Sequence, residues 1–307
     1  MQPHDGDVMV SVVVPTRGRG DMLAQALASI RSQDLVGIVE TLVVYDRSEP
    51  NPALERGGDR PVRVLTNART PGPAGGRNTG IVAARGHWVA FLDDDDVWHP
   101  DKLTRQLDAL ASSGRRTCVS TIATVLGDVR RVREVVATEL TYADLLRNRT
   151  QSAHQSTVVV DREHMRSVVG LFDEGVPYSY MEDYDWLLRA ASVEPLAVVP
   201  APLVEVRWHE ASWFFDRWGA ILEAIDYVLR KHPDLLKDAH GAAVLHGRSA
   251  FCHAALGHRA EALAGLRKTI RRNPLEPRWL LTLPIVLAPR AALPLMRLVR
   301  RATGRSI

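Results

Sequence analysis

From residue 9 to about residue 110, short apolar runs alternate with stretches of helical period. Val10 to Val14 is a strand-like run that stops at Pro15, and after Asp21 the residues Met22, Ala26, Leu27 and Ile30 fall on one helical face. Thr41 to Tyr45 reads as a second buried strand, Val62 to Leu65 as a third and Trp88 to Leu92 as a fourth. A helix opened by Gly75-Gly76 comes before the fourth strand, and Pro100 starts another in which Leu103, Leu107 and Leu110 share a face. Strands alternating with helices predict an α/β fold with a mostly parallel sheet and ligands at the carboxyl ends of its strands. Thr16, Asp46 and Asp93 fall at those ends.

The second half is less regular. Thr117 to Val125 and Val129 to Val136 read as strands around a Gly127-Asp128 turn, Ser156 to Val160 as another, and Leu203 to Arg207 as an edge strand before Trp208-His209. Asp183 to Ser192 carries a helical pattern, and from Trp218 onward the chain is helical. Ala254 to Pro274 resembles half of a tetratricopeptide repeat, but a single copy builds no solenoid, so a helical hairpin is expected.

Four consecutive carboxylates, Asp93-Asp94-Asp95-Asp96, follow the fourth strand and precede Val97-Trp98 and Pro100. Like charges so crowded repel unless a cation neutralises them, and Mg2+ or Mn2+ suits oxygen ligands shared with substrate phosphates. The plain alternative is a solvated acidic turn. Phe91-Leu92-Asp93-Asp94-Asp95-Asp96-Val97-Trp98 with Pro100 resembles the Asp-x-Asp segment of inverting family 2 glycosyltransferases, enzymes of the GT-A fold. Val10 to Arg17, Gly75-Gly76-Arg77-Asn78-Thr79-Gly80 and Glu182-Asp183 with Trp186 and Arg189 resemble other segments of that family, in its order.

The resemblance implies a role for each matching residue. Asp95 would ligate the metal, Asp93 would face the ribose or share the metal, and Asp94 and Asp96 would position the loop, with either of them open as a ligand. Pro15, Thr16 and Arg17 would meet the nucleotide, Asp46 would read its base, and Arg77 would bond the diphosphate or base, or else brace the Gly75-Gly76 turn. Asp183 would be the base that takes the acceptor's proton, an alcohol being a poor nucleophile until that proton is leaving. Glu182 and Asp185 compete for that role, Glu182 and Trp186 would support the base or the acceptor, and a helix cap is the structural alternative for Asp183. His209 would complete the metal site or touch the diphosphate, or be structural. Tyr180, Trp186, Trp208 and Trp213 would stack on sugar or lipid, or belong to the core. One direct displacement inverts the anomeric carbon. The expected partners are a UDP-, GDP- or dTDP-linked sugar and a hydroxyl acceptor in polysaccharide, glycolipid or specialised-metabolite glycosylation.

Charge is unevenly spread. The net +3 hides ten Lys/Arg against one acid, Glu276, between Arg267 and Arg305, leaving 29 bases and 35 acids elsewhere. The tail alternates its bases with Leu, Ile and Val in place of stacking aromatics and carries no nucleic-acid motif, which argues against nucleic acid. Trp279 to Met296 is apolar but broken by Pro284, Pro289, Arg290 and Pro294, unlike a spanning helix of about 20 apolar residues. With Arg271, Arg272, Arg278, Arg297, Arg300 and Arg301 around it, it is expected to lie on an anionic membrane surface, or to pack on the protein or on the second subunit of a homodimer. Two cysteines make no disulfide framework and the first residues lack a signal-peptide pattern, so the expected place is the cytoplasm, peripheral on the inner face of the membrane.

These readings predict a GT-A, Rossmann-like α/β catalytic domain over residues 1–212, with a nucleotide-sugar half to about 115 and an acceptor half beyond it, and a helical extension over 213–307. Two rivals stand beside the metal-dependent glycosyltransferase: a sugar-nucleotidyltransferase, whose Gly-rich opening loop is missing after Val14, and a non-catalytic nucleotide-sugar-binding scaffold.

Overall fold

β1 (Val8–Thr16) lies between β2 (Ile38–Tyr45) and β4 (Trp88–Phe91), parallel to both, and β3 (Val62–Thr66) extends the parallel run beyond β2. The computed structural model describes residues 7–127, 129–132, 137–148, 153–207 and 217–288. Val10, Val12, Val13 and Val14 are fully buried, as a continuous apolar run requires when a strand is covered on both faces. The register puts Thr16 opposite Tyr45, so the ends of β1 and β2 open together beside the acid turn that follows β4.

The other half of the sheet is mixed. β5 (Val97–Trp98), β6 (Thr117–Leu126), β7 (Val129–Val132), β8 (Glu139–Leu140), β9 (Val159–Asp161) and β10 (Leu196–Arg207) complete the order β3-β2-β1-β4-β9-β6-β10-β5, with β7 on β6 and β8 on β10. Two strands depart from expectation. β10 is not an edge, because Val97 and Trp98 pair antiparallel with Glu205 and Val204 and add an outer rung. β9 starts at Val159, not Ser156, because Gln155–Thr157 is a 3-10 turn capped by His154, whose ring accepts the Ser156 N–H at 3.3 Å. Residues 133–136 of the expected β7 lie outside the described residues.

Helices α1 (Gly20–Arg31), α2 (Pro73–Ala83) and α3 (Lys102–Ser113) follow β1, β3 and β5. Glycine lets α2 sit close to its neighbours: a Cβ at Gly75 would run into the Thr70 carbonyl, and one at Gly80 into the Val13 side chain. After α4 (Tyr142–Arg147) and the short α5 (Arg162–His164) comes α6 (Glu182–Val193), and α7 (Trp218–Lys231), α8 (Ala239–Ala255), α9 (Arg259–Arg272) and α10 (Arg278–Leu287) form the helical C-terminal region. The chain divides into two compact units: Met1–Tyr142 with Thr150–Glu174 and Glu182–Arg207, and Ala143–Arg149 with Gly175–Met181 and Trp208–Ile307. In the second, α8 packs on α9 as a helical hairpin that starts well before the expected Ala254, since that span holds only the end of α8 together with α9, and Phe251, Ala254, Ala262, Ile285 and Val286 form a core in which Trp218 meets Phe251 edge-on at 5.3 Å.

The leucine face of α3 is interrupted by two buried polar residues. Gln106 donates to the carbonyls of Thr157 and Cys118, at 2.8 and 3.3 Å. Lys102 is fully buried, its ammonium 3.9 Å from the Trp98 ring and without a hydrogen-bond partner, and burial pulls its pKa down to about 7. Below that value the folded state carries a desolvated charge that the unfolded chain carries in water, so the penalty is complete at low pH and fades as pH rises toward the ordinary lysine value. Lys102→Met is therefore expected to raise stability by about 2 kcal/mol at pH 6, after discounting the lost cation–π contact, with a smaller gain at pH 9. Chemical denaturation at the two pH values checks this, and a destabilised variant would show that the ring contact outweighs burial.

Candidate donor site

Each of the four carboxylates is held by side chains of the site, two of them by the same arginine. Asp93 receives the Arg77 guanidinium at 2.7 Å, and its backbone N–H donates to the Ser156 hydroxyl at 3.1 Å. Asp94 accepts from the Thr16 hydroxyl at 2.6 Å and from Arg19 at 3.3 Å, and Asp95 takes the same Arg19 at 2.5 Å. Asp96 accepts from the Ser156 hydroxyl at 2.6 Å and from the Arg207 N–H at 3.3 Å, a bond made possible by the rung that Val97 and Trp98 add beside β10.

Burial and crowding act differently on Asp93, Asp94 and Asp96. Burial raises Asp94 to about 6 against the opposing pull of Thr16 and Arg19. Burial, then the charges of Asp93 and Asp95, hold Asp96 well above the usual carboxylate range. For Asp93 burial also works upward, but Arg77 and His154 outweigh it and keep it low.

One oxygen each of Asp93 and Asp96 and one ring nitrogen of His154 lie within 4.8 Å of one another. Two hard oxygens and one imidazole are a donor set that fits a divalent cation, and a buried carboxylate beside other carboxylates is the kind of group whose charge such a cation would offset. Asp95, the ligand expected from the sequence, lies outside this set and is held by Arg19. His209, expected to complete the site, lies outside the described residues, as do Trp208 and Trp213. His154, Arg19 and Ser156 were not singled out by sequence. His154 and Ser156 come from the loop before β9, where no motif marks them.

The other expected donor residues line the strand ends. Thr16 is buried and bonded to Asp94, Pro15 is half-buried and Arg17 is exposed. Asp46 is buried with both oxygens engaged, one by the Asn67 amide at 2.8 Å and the other by the Gly72 N–H at 3.1 Å, so it pins the turn into α2.

Arg77 joins the acid turn to the start of α6. Its side chain is 4% exposed, it spans Asp93 and Glu182 at 2.7 and 2.6 Å, and it lies over the Phe172 ring at 5.5 Å. Its bonds are salt bridges, the kind of contact that the structural alternative for Arg77 names, and they run from α2 to the acid turn and to α6. Glu182 is pushed up to about 7 by burial and the neighbouring charge of Asp183, with Arg77 opposing. Asp183, half-buried in the first turn of α6, accepts the Tyr184 N–H at 2.8 Å and stands near enough to raise Asp93 as well. The residues leading into it include Tyr178, Ser179 and Met181 at positive φ (57, 49 and 72°), strain of a kind that collects at working sites. Asp185 is fully buried against Arg189 at 3.1 Å. Trp186 is fully buried, bonds the Gly170 carbonyl at 2.9 Å and packs on Phe172, so it belongs to the core and offers no stacking face. Tyr180 is also buried, with Arg248 over its ring at 5.2 Å.

The family model Glycosyl transferase family 2 matches residues 11–164, half of the chain and every element of the acid site except α6 and β10. The chain belongs to this family. Relatives of this glycosyltransferase include the succinoglycan biosynthesis protein ExoO of Rhizobium meliloti, 38% identical over 133 residues, which are 43% of this chain and 38% of that protein. Another is the Escherichia coli UDP-Glc:alpha-D-GlcNAc-diphosphoundecaprenol beta-1,3-glucosyltransferase WfgD, 27% identical over 58% of this chain and 68% of its own. The chain thus spans well under half the length of the first and about two thirds of the second. S. aureus TarS 1-349, solved in complex with UDP-GlcNAc, superposes with a TM-score of 0.60 at 18% identity, covering 93% of this chain and 88% of that one. This likeness shows the fold, GT-A-like with a helical C-terminal region as expected, while the sheet, expected to be mostly parallel, is mixed.

Proposed function

We propose that this family 2 glycosyltransferase moves a sugar from a nucleoside-diphosphate sugar to an acceptor hydroxyl with inversion at the anomeric carbon. The observation that carries this reading is the Asp93–Arg77–Glu182 bridge, which joins the acid turn, the start of α2 and the start of α6 around Asp183. Arg17 and Arg19, just beyond the end of β1, supply N–H donors for the donor's phosphates while Thr16 holds Asp94 beside them, and Asp93, Asp96 and His154 would hold Mg2+ or Mn2+. When bound, that cation neutralises charge on the departing diphosphate. Asp183 takes the acceptor's proton while the acceptor oxygen bonds to the anomeric carbon, and the bond to the diphosphate breaks with its electron pair leaving on the phosphate oxygen. Glu182, tied to Arg77, keeps the α6 turn in place.

The donors named for the relative WfgD and bound in the TarS structure are UDP sugars, which makes a uridine diphosphate donor the first to test. The WfgD acceptor is linked to diphosphoundecaprenol, and a polysaccharide or glycolipid precursor of that kind fits here. No helix among the described residues is long and apolar enough to cross a membrane; a membrane-linked acceptor of that kind would be met by a protein bound peripherally at the membrane surface.

Thermal shifts with UDP, GDP and dTDP, each with Mn2+ or with chelator, test the reading. A ligand at about 100 times its Kd adds about 2.7 kcal/mol and a clear rise in Tm. Asp96→Asn and His154→Ala are expected to abolish the Mn2+-dependent part of that rise in a protein that still folds. Equal shifts in excess chelator would remove the metal from the scheme, and no shift with any nucleotide would overturn the donor reading.

A further inference from the structure

The last described helix has one buried face and one bare face. In α10, Thr282, Ile285 and Val286 are buried, Ile285 and Val286 in the core with Phe251 and Ala262. On the opposite side Leu280 (55% exposed), Leu283 (37%), Pro284 and Leu287 (68%) form a stripe at helical spacing, and Leu275 in the preceding turn is 87% exposed. Soluble surfaces rarely keep a contiguous apolar stripe without an occupant.

Charge identifies the occupant. The last two turns of α9 expose Arg267, Lys268, Arg271 and Arg272, immediately before this stripe in the chain. From residue 262 to the end of the described residues there is one acid, Glu276, and it is buried and taken by Arg278 at 2.5 Å. An apolar stripe beside uncompensated bases is mismatched to a neutral protein groove, and two copies brought face to face would set arginines against arginines. Lipid chains and anionic headgroups match both features together.

We propose that the α9–α10 end of the helical unit docks on an anionic lipid bilayer, with Leu275, Leu280, Leu283 and Leu287 entering the interface and Arg267, Arg271 and Arg272 on the headgroups. This rests on the membrane-peripheral reading above and names its surface, and it is separable from glycosyl transfer because docking needs no donor or acceptor. Co-sedimentation of the full chain with vesicles of equal parts phosphatidylglycerol and phosphatidylcholine, without nucleotide, tests it. Binding is expected to these vesicles and not to phosphatidylcholine alone, and to weaken as salt rises. Arg271→Glu with Arg272→Glu is expected to weaken it about tenfold or more. Leu280→Asp with Leu287→Asp is expected to abolish it with the thermal melt unchanged, while Val36→Asp, at an exposed apolar position in the other unit, leaves it intact. No binding by the intact chain, or equal binding by the leucine variant, overturns the proposal. So does a fall in sedimenting mass in the leucine variant without vesicles, which would make the stripe a contact between copies. Vesicle binding with no nucleotide-dependent shift would fail the donor reading alone.

Discussion

Asp183→Asn is expected to leave nucleotide binding intact and to slow transfer about 100-fold or more, because the amide keeps the size and hydrogen bonding of the carboxylate but cannot accept the acceptor's proton. The Tyr184 N–H that Asp183 accepts can bond an amide oxygen equally well, so the α6 turn survives the change. Single-turnover transfer beside a nucleotide thermal shift separates chemistry from binding. Transfer near that of the unaltered protein would move the role to Glu182, since Asp185 is fully buried and paired with Arg189. Loss of both transfer and binding would show that Asp183 shapes the donor site rather than acting on the acceptor.

Arg77→Met is expected to be strongly destabilising. The guanidinium is buried between two carboxylates, and removing one partner of a buried pair typically costs about 3–5 kcal/mol because the other charge is left uncompensated. The pH dependence has a definite sign. Without Arg77 the folded-state pKa of Asp93 is no longer held low and that of Glu182 rises further above its unfolded value, so the folded state binds more protons than in the parent and the variant's stability falls relative to the parent as pH rises. Denaturation in chelator is therefore expected to show the largest loss above pH 7 and partial recovery at pH 5. A loss independent of pH would mean that the packing against Phe172, not charge, is what Arg77 provides. Equal stability of variant and parent would remove the bridge as a structural element.

What could be read along the chain was local. β1 and β2 were legible because a strand buried on both faces must be apolar throughout, and the acid turn because four adjacent carboxylates are a local anomaly. The Gly75-to-Gly80 spacing was legible as a helix start, and the reason for two of its glycines, close approach to Thr70 and Val13, appeared only with the partners in place. Leu103 and Leu110 of α3 are buried as their shared face implied, but the burial of Lys102 and Gln106 beside them was not legible, because their partners, Trp98 and the Thr157 carbonyl, arrive from β5 and the turn before β9.

By itself, then, the sequence determined the α/β alternation, the carboxyl-end placement of Thr16, Asp46 and Asp93, the start of α6 at Glu182-Asp183, and the basic apolar character of the tail. Each follows from residues close together in the chain, where hydrophobic period and charge spacing act directly. Tertiary structure alone decided which carboxylate meets which cation. Arg77 reaches Glu182 across 105 positions, Thr16 reaches Asp94 across 78, and Ser156 reaches Asp96 across 60. Those pairings depend on strand register and on the antiparallel insertion of β9 between β4 and β6, which brings His154 to the acid turn while Arg19 draws Asp95 out of the candidate metal set.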